Sequence, residues 1–179
     1  MNVTPLIESA AIANRVKELA AEIAADYADT PLLMVGILTG AAQFMMDLLS
    51  ALPEAASNRV DYDFIGVASY AGLESTGQVS ITLETTVDLH DRHVLVVDGI
   101  VDSGLTLQRV LEHVGDQSPL SVKTCVLLDK PSRRQHTIGL DYAGFEIEDA
   151  FVVGYGLDAD QRGRSLRYIG VLEDSTTDG

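Results

Sequence analysis

The spacing of apolar residues along the chain alternates between two periods. Ile12, Val16, Leu19 and Ile23 recur every three or four positions in an alanine-rich stretch, which predicts an amphipathic helix from Leu6 to about Tyr27, closed off by Pro31. The short run Leu32 to Leu38 follows, then Thr39-Gly40, then a second helical pattern from Ala41 to about Leu52 carrying Phe44, Met45, Leu48 and Leu49. That order is strand, glycine turn, helix. Further runs of strand length, rich in β-branched residues, lie at Phe64 to Ala68, Gln78 to Leu83, Val94 to Val97, Val122 to Leu128 and Phe151 to Val153. Helical patterns separate several of them, one carrying Val110, Leu111 and Val114. The pattern predicts an α/β fold with a mostly parallel central sheet flanked by helices. The polar, glycine-bearing segment Ser69 to Gly77 suits either an exposed hairpin loop or a lid over a site. No repeat or linker divides the chain, and its 179 residues suit one domain, with Ser175 to Gly179 as a frayed tail.

Composition narrows the classes of function. Acidic residues outnumber basic ones 27 to 12, a formal charge of -15, which repels a phosphate backbone and argues against a nucleic-acid partner. Any phosphate site must be local. No apolar run approaches the roughly 20 residues that span a bilayer, and the N-terminus lacks a basic region before a hydrophobic one, so no membrane role and a cytoplasmic location are expected. Cys125 is the single cysteine and sits in an apolar alternation as a small hydrophobe. His90, His93, His113 and His136 show no zinc-ligand spacing, and neither a P-loop nor a dinucleotide fingerprint is present.

The chemistry concentrates between Val94 and Thr106, where a buried strand ends at Asp98 and the loop Asp102-Ser103-Gly104-Leu105-Thr106 opens a helix. Ligands in open α/β sheets bind at the carboxyl ends of strands, where the first amides of the next helix point. Ser103, Gly104 and Thr106 supply free amides, close backbone approach and hydroxyls, as a phosphate monoester needs. Asp98 and Asp102 add negative charge, which fits if a divalent cation or sugar hydroxyls mediate. The same residues also suit a turn with a helix cap and a solvated strand end.

Val94 to Thr106 resembles the signature of the type I phosphoribosyltransferases: four apolar residues, two acids, two apolar residues, then an acid-hydroxyl-glycine-x-threonine loop. The one departure is Gly99, at the second acid. Val35 to Gly40, Ser69-Tyr70, Leu128 to Arg134, Gly144 to Ile147 and Phe151 to Asp158 are similar to segments of the hypoxanthine-guanine branch, and the likeness spans about residues 5 to 172. It implies the type I phosphoribosyltransferase fold over residues 1–179, with a small hood from parts of the N-terminal region and residues after about 145. It further implies transfer of phosphoribose from phosphoribosyl pyrophosphate to a 6-oxopurine, hypoxanthine or also guanine, with magnesium, in a homodimer or homotetramer.

Residue roles follow from the same resemblance. Asp102 to Thr106 would hold the 5-phosphate, with Asp102 also near N7 of the base as general acid or base. Asp98 would bind the ribose hydroxyls and magnesium. Lys130 would donate to the purine O6, which rejects the 6-amino group of adenine because an ammonium finds no acceptor there. Phe151 would stack on the base and the Val152 backbone would meet its edge, although periodicity alone puts Phe151 in the core. Asp158 would contribute to the purine site and ligate magnesium, and Arg164 would contact pyrophosphate. Leu38, Thr39 and Gly40 match the pyrophosphate loop, with a cis peptide expected at Leu38-Thr39. Thr39 replaces the usual lysine or arginine. Ser69 and Tyr70 match the start of a mobile lid. Two other functions stay open: a regulator that binds phosphoribosyl pyrophosphate or nucleotides with little turnover, given Gly99 and Thr39, and a xanthine-preferring enzyme.

Overall fold

The computed structural model describes residues 1–69 and 79–173. Strand β1 (Val3–Ile7) leads into helix α1 (Ser9–Asp26), then β2 (Leu32–Leu38), α2 (Ala42–Ala51) and a single turn α3 (Glu54–Ser57). Next come β3 (Val60–Ser69), β4 (Val79–Leu83), β5 (His93–Val101), α4 (Leu105–Gly115) and β6 (Ser121–Asp129). A 3₁₀ turn at Pro131–Arg133 precedes β7 (Tyr142–Glu146), β8 (Val152–Val153) and β9 (Ile169–Leu172).

Six strands form the central sheet in the order β4-β3-β2-β5-β6-β7, all neighbours parallel except the β3–β4 hairpin. Both faces are buried, which is why the central strands read as unbroken apolar runs. Leu32, Met34, Leu95 and Val97 point to one side, where they pack with Ile12, Val16, Leu19 and Ile23 of α1 and Phe44, Met45 and Leu48 of α2. Leu33, Val35, Val94 and Val96 point to the other, against Leu107, Val110 and Val114 of α4. The alternation of strand side chains thus builds two cores from one sheet. Cys125 lies in the first of them, fully buried, and its thiol pKa is pushed up by that burial. After β2 the chain adds β3 on one side and returns to add β5 on the other. The strand order therefore reverses between β2 and β5, the place where such sheets open a crevice at their carboxyl ends.

A second, antiparallel sheet, β1-β9-β8, joins the two ends of the chain. It corrects the first predicted helix, because Leu6 and Ile7 belong to β1, paired with β9, and the helix begins at Ser9. A partner about 165 residues away decides that boundary, and helical periodicity near residue 6 carries no sign of it. Strands β7 and β9 and the turn α3 were likewise not predicted; β7 is an edge strand with one neighbour, and its sequence Tyr-Ala-Gly-Phe-Glu has little alternation. Among the described residues no helix is long and apolar enough to cross a membrane.

Candidate active site

Four stretches distant in sequence converge over the β2/β5 switch point. Leu38, Thr39 and Gly40 end β2, Asp98 to Thr106 run from β5 into α4, Lys130 follows β6, and Phe151 to Arg164 hang from the small sheet. They line one cavity of about 580 Å³, with Leu38, Thr39, Gly40, Asp98, Asp102, Thr106, Lys130, Phe151, Val152, Asp158 and Arg164 all on its walls. A smaller adjoining space of about 210 Å³ is lined by Asp98, Asp102, Ser103, Gly104 and Thr106. Leu105 lines neither space; its N–H is donated to Ser103 Oγ at 3.3 Å. The Leu38–Thr39 peptide is cis.

The loop before α4 is shaped by Gly104, whose φ of 89° lies in the left-handed region and lets the chain turn sharply into the helix. The segment after β6 braces it from outside. Gln135 and His136 both donate their backbone N–H to Ser103 O at 3.0 Å, Arg134 Nε donates to Asp102 O at 3.3 Å, and the Arg134 guanidinium also pairs with Asp129.

Charge is arranged in two groups. Asp98 is almost wholly buried, one carboxyl oxygen accepting the Gly99 N–H at 2.7 Å. Burial pushes its pKa up to about 7, the backbone N–H groups of Gly99 and Ile100 only partly offsetting it. Asp102 is half-exposed, with Lys130 Nζ at 4.0 Å from one oxygen and Arg133 Nε at 3.2 Å from the other. Arg133 also reaches Asp149, at 3.7 Å. Lys130 is one of the few buried polar residues and is held by its N–H bond to Val101 O at 3.0 Å. On the far wall Arg164 donates to Gly156 O at 2.7 Å and pairs with Asp158 at 2.8 Å, while the other Asp158 oxygen accepts the Gln161 N–H at 2.8 Å.

Phe151 is 59% exposed on the cavity wall, so the core position suggested by periodicity is corrected: its ring faces an opening at the start of β8. Ser69 ends β3, paired with Val79 of β4, while Tyr70 lies outside the described residues. Ile37, Val67, Ile100, Leu157 and Gln161 complete the wall without having been singled out from sequence. The first four look like ordinary core residues along the chain. Arg133, beside Asp102, lay inside the matched segment Leu128 to Arg134 and Gln161 just past Phe151 to Asp158, and that placement was the available signal.

A mostly parallel α/β sheet with an acid-flanked, glycine-turned loop at its switch point is the arrangement of an α/β enzyme of the phosphoribosyltransferase class. Residues 3–160 match the phosphoribosyl transferase domain family, and the chain belongs to it. It falls in the hypoxanthine-guanine branch. It is 43% identical to the hypoxanthine-guanine phosphoribosyltransferase of Bacillus subtilis (strain 168), over 94% of this chain and 92% of that one. Identity to the hypoxanthine-guanine-xanthine phosphoribosyltransferase of Tritrichomonas foetus is 38%, over 92% of this chain and 88% of the other. A crystal structure of a hypoxanthine phosphoribosyltransferase from Staphylococcus aureus superposes with a TM-score of 0.89 at 38% identity, covering 98% of this chain and 94% of that one.

Proposed function

We infer that this protein transfers the phosphoribosyl group of phosphoribosyl pyrophosphate to a 6-oxopurine, releasing pyrophosphate and forming the nucleoside monophosphate of purine salvage. The observation that carries the reading is the single cavity in which Asp98, Asp102, Lys130, Phe151 and the 38–40 loop all meet. The adjoining space below Ser103, Gly104 and Thr106 takes the 5-phosphate at the amino end of α4, whose helix dipole favours an anion. Bond breaking builds positive charge on the ribose, and the half-exposed Asp102 carboxylate lies where it can stabilise that charge and exchange a proton with N7 of the base. Phe151 offers its exposed ring to the base, the Val152 backbone meets its edge, and Lys130 meets O6. Arg164 faces the pyrophosphate side, beside Leu38, Thr39 and Gly40.

Asp98 fits a magnesium ion as a buried acid with no cation beside it among its described contacts, and Asp158 on the same cavity would join it by giving up its Arg164 pairing. A hard divalent ion held by one or two carboxylates would keep several waters and bind the diphosphate oxygens, neutralising the leaving group. The chain acts in the cytoplasm as one domain, its hood formed by β1, β8 and β9, and as a homodimer or homotetramer, in keeping with the resemblance. Hypoxanthine and guanine are the expected bases. The xanthine reading draws support from the Tritrichomonas foetus relative, whose name includes that base.

Incubation with phosphoribosyl pyrophosphate, magnesium and each of hypoxanthine, guanine, xanthine and adenine, followed by nucleotide analysis, tests the assignment. Product from the 6-oxopurines and none from adenine is expected. Intact ligand binding without product from any base would make the protein a binding regulator instead.

A further inference from the structure

Gly99 stands where the phosphoribosyltransferase signature has its second acid, and the packing around it gives the exchange a physical reason. A Cβ at this position would lie 2.8 Å from the carbonyl oxygen of Gly40, 3.1 Å from its carbonyl carbon and 3.2 Å from Leu157 Cδ2. The first two are main-chain atoms, so no rotation of a neighbouring side chain makes room; the 38–40 loop itself has to move. Gly99 is not among the glycines at positive φ, so its backbone suits alanine and space alone forbids it. The same Gly40 carbonyl is confined from the other side, where a Cβ on Gly156 would lie 2.5 Å away. That second wall is itself fixed, because Tyr155 donates its hydroxyl to Asp47 of α2 at 2.6 Å and Gly156 O accepts from Arg164 at 2.7 Å.

We infer that Gly99 is a positioning residue for pyrophosphate: by presenting no side chain it lets the loop Leu38-Thr39-Gly40 settle directly onto β5, pinned between Gly99 and Gly156. The inference rests on the assignment of residues 38–40 to the pyrophosphate end of the cavity. It also joins the two departures from the family pattern. A lysine in the middle of the loop could follow a displaced phosphate with its long flexible stem. Thr39 cannot, so binding falls to backbone amides, whose hydrogen bonds weaken steeply once distance and angle drift. A loop that binds through its main chain needs a fixed seat, and Gly99 supplies one without adding a second negative charge beside the diphosphate.

The test compares the wild-type enzyme with Gly99→Ala and Gly99→Asp. Affinity for magnesium pyrophosphate and for the nucleoside monophosphate is measured separately by calorimetry, with KM for phosphoribosyl pyrophosphate and Tm alongside. Gly99→Ala should weaken pyrophosphate binding and raise that KM by roughly 10- to 100-fold, the scale of a small misplacement in a site. Its affinity for the nucleoside monophosphate, which does not engage the loop, should stay within about twofold of wild type. Gly99→Asp should be at least as damaging. A Gly99→Ala protein with wild-type pyrophosphate affinity overturns the inference, as does a Gly99→Asp protein with higher kcat/KM, which would mark the position as a lost acid restored. Equal weakening of both ligands with a fallen Tm would leave Gly99 a folding role only, and so also overturns it. If wild-type protein itself binds no pyrophosphate, the loop assignment fails and the inference with it.

Discussion

At the scale of single residues, the two aspartates of the site differ in surroundings and should differ in what their loss does. Asp102 sits between Arg133 and Lys130 with its carboxylate open to the cavity, suited to a proton or a nearby positive charge in the transition state. Asp102→Asn should therefore lower kcat by about 100-fold or more while changing KM little, the scale of lost general acid-base catalysis. Equal losses in both constants, measured by steady-state kinetics, would count against that role. Asp98 is buried, its pKa pushed up to about 7. In metal-free, ligand-free protein the unfolded chain ionises this carboxyl from about pH 4. The stability of its neutral form is thus full below pH 4 and lost as pH rises to 7. Asp98→Asn keeps the shape and stays neutral, so in EDTA its Tm should match wild type near pH 4 and exceed it by roughly 3 °C or more at pH 8. No gain at pH 8 would show that the carboxylate is better solvated than its burial implies. Lys130 shows what packing adds at this scale: the resemblance marked it as a purine contact, and the fold shows that its side chain after β6 is buried on the cavity wall.

Among the elements, the long helices and the central strands were predicted, and β1, β7, β9 and the short turn α3 were not. The periodicities of α1, α2 and α4 and the apolar runs of β2, β5 and β6 predict those elements because each pattern lies within one contiguous stretch, while the two cores and the switch point came from the fold. Strands β1 and β9 exist by pairing with each other, so β1 was absorbed into the adjoining helix. Their sheet carries Val152 on β8, just after Phe151. Removing residues 1–7 should expose the β9 edge, lower Tm and raise KM for the purine more than KM for phosphoribosyl pyrophosphate. Unchanged purine affinity would detach the base site from that sheet. The α4 loop makes a second prediction. Gly104 has φ near 89°, and a Cβ there would meet His136 O at 3.2 Å. Gly104→Ala should cost about 1–2 kcal/mol, seen as a lower Tm, and weaken binding of any 5-phosphorylated ligand.

The whole molecule carries a formal charge of -15 while binding anions, and its structure reconciles the two locally. Arg164, Lys130 and the amides before α4 gather at the crevice that also holds Asp98, Asp102 and Asp158, while the other described acidic residues lie outside it. Self-repulsion of the acidic excess is screened by salt, so Tm in the absence of ligand should rise between about 0.05 and 1 M KCl. A flat or falling Tm would mean that the acidic residues are individually compensated. The sequence alone determined the alternation of strands and helices, the contiguous loop from Asp98 to Thr106, and through its resemblance the family, since each is written in residues that are neighbours along the chain. Tertiary structure decided which distant stretches share one cavity, that Asp98 and Lys130 are buried while Phe151 is exposed, and that the two chain ends form a sheet. It also decided what surrounds position 99: the carbonyl of Gly40, about sixty residues earlier, which the parallel pairing of β2 with β5 brings within contact.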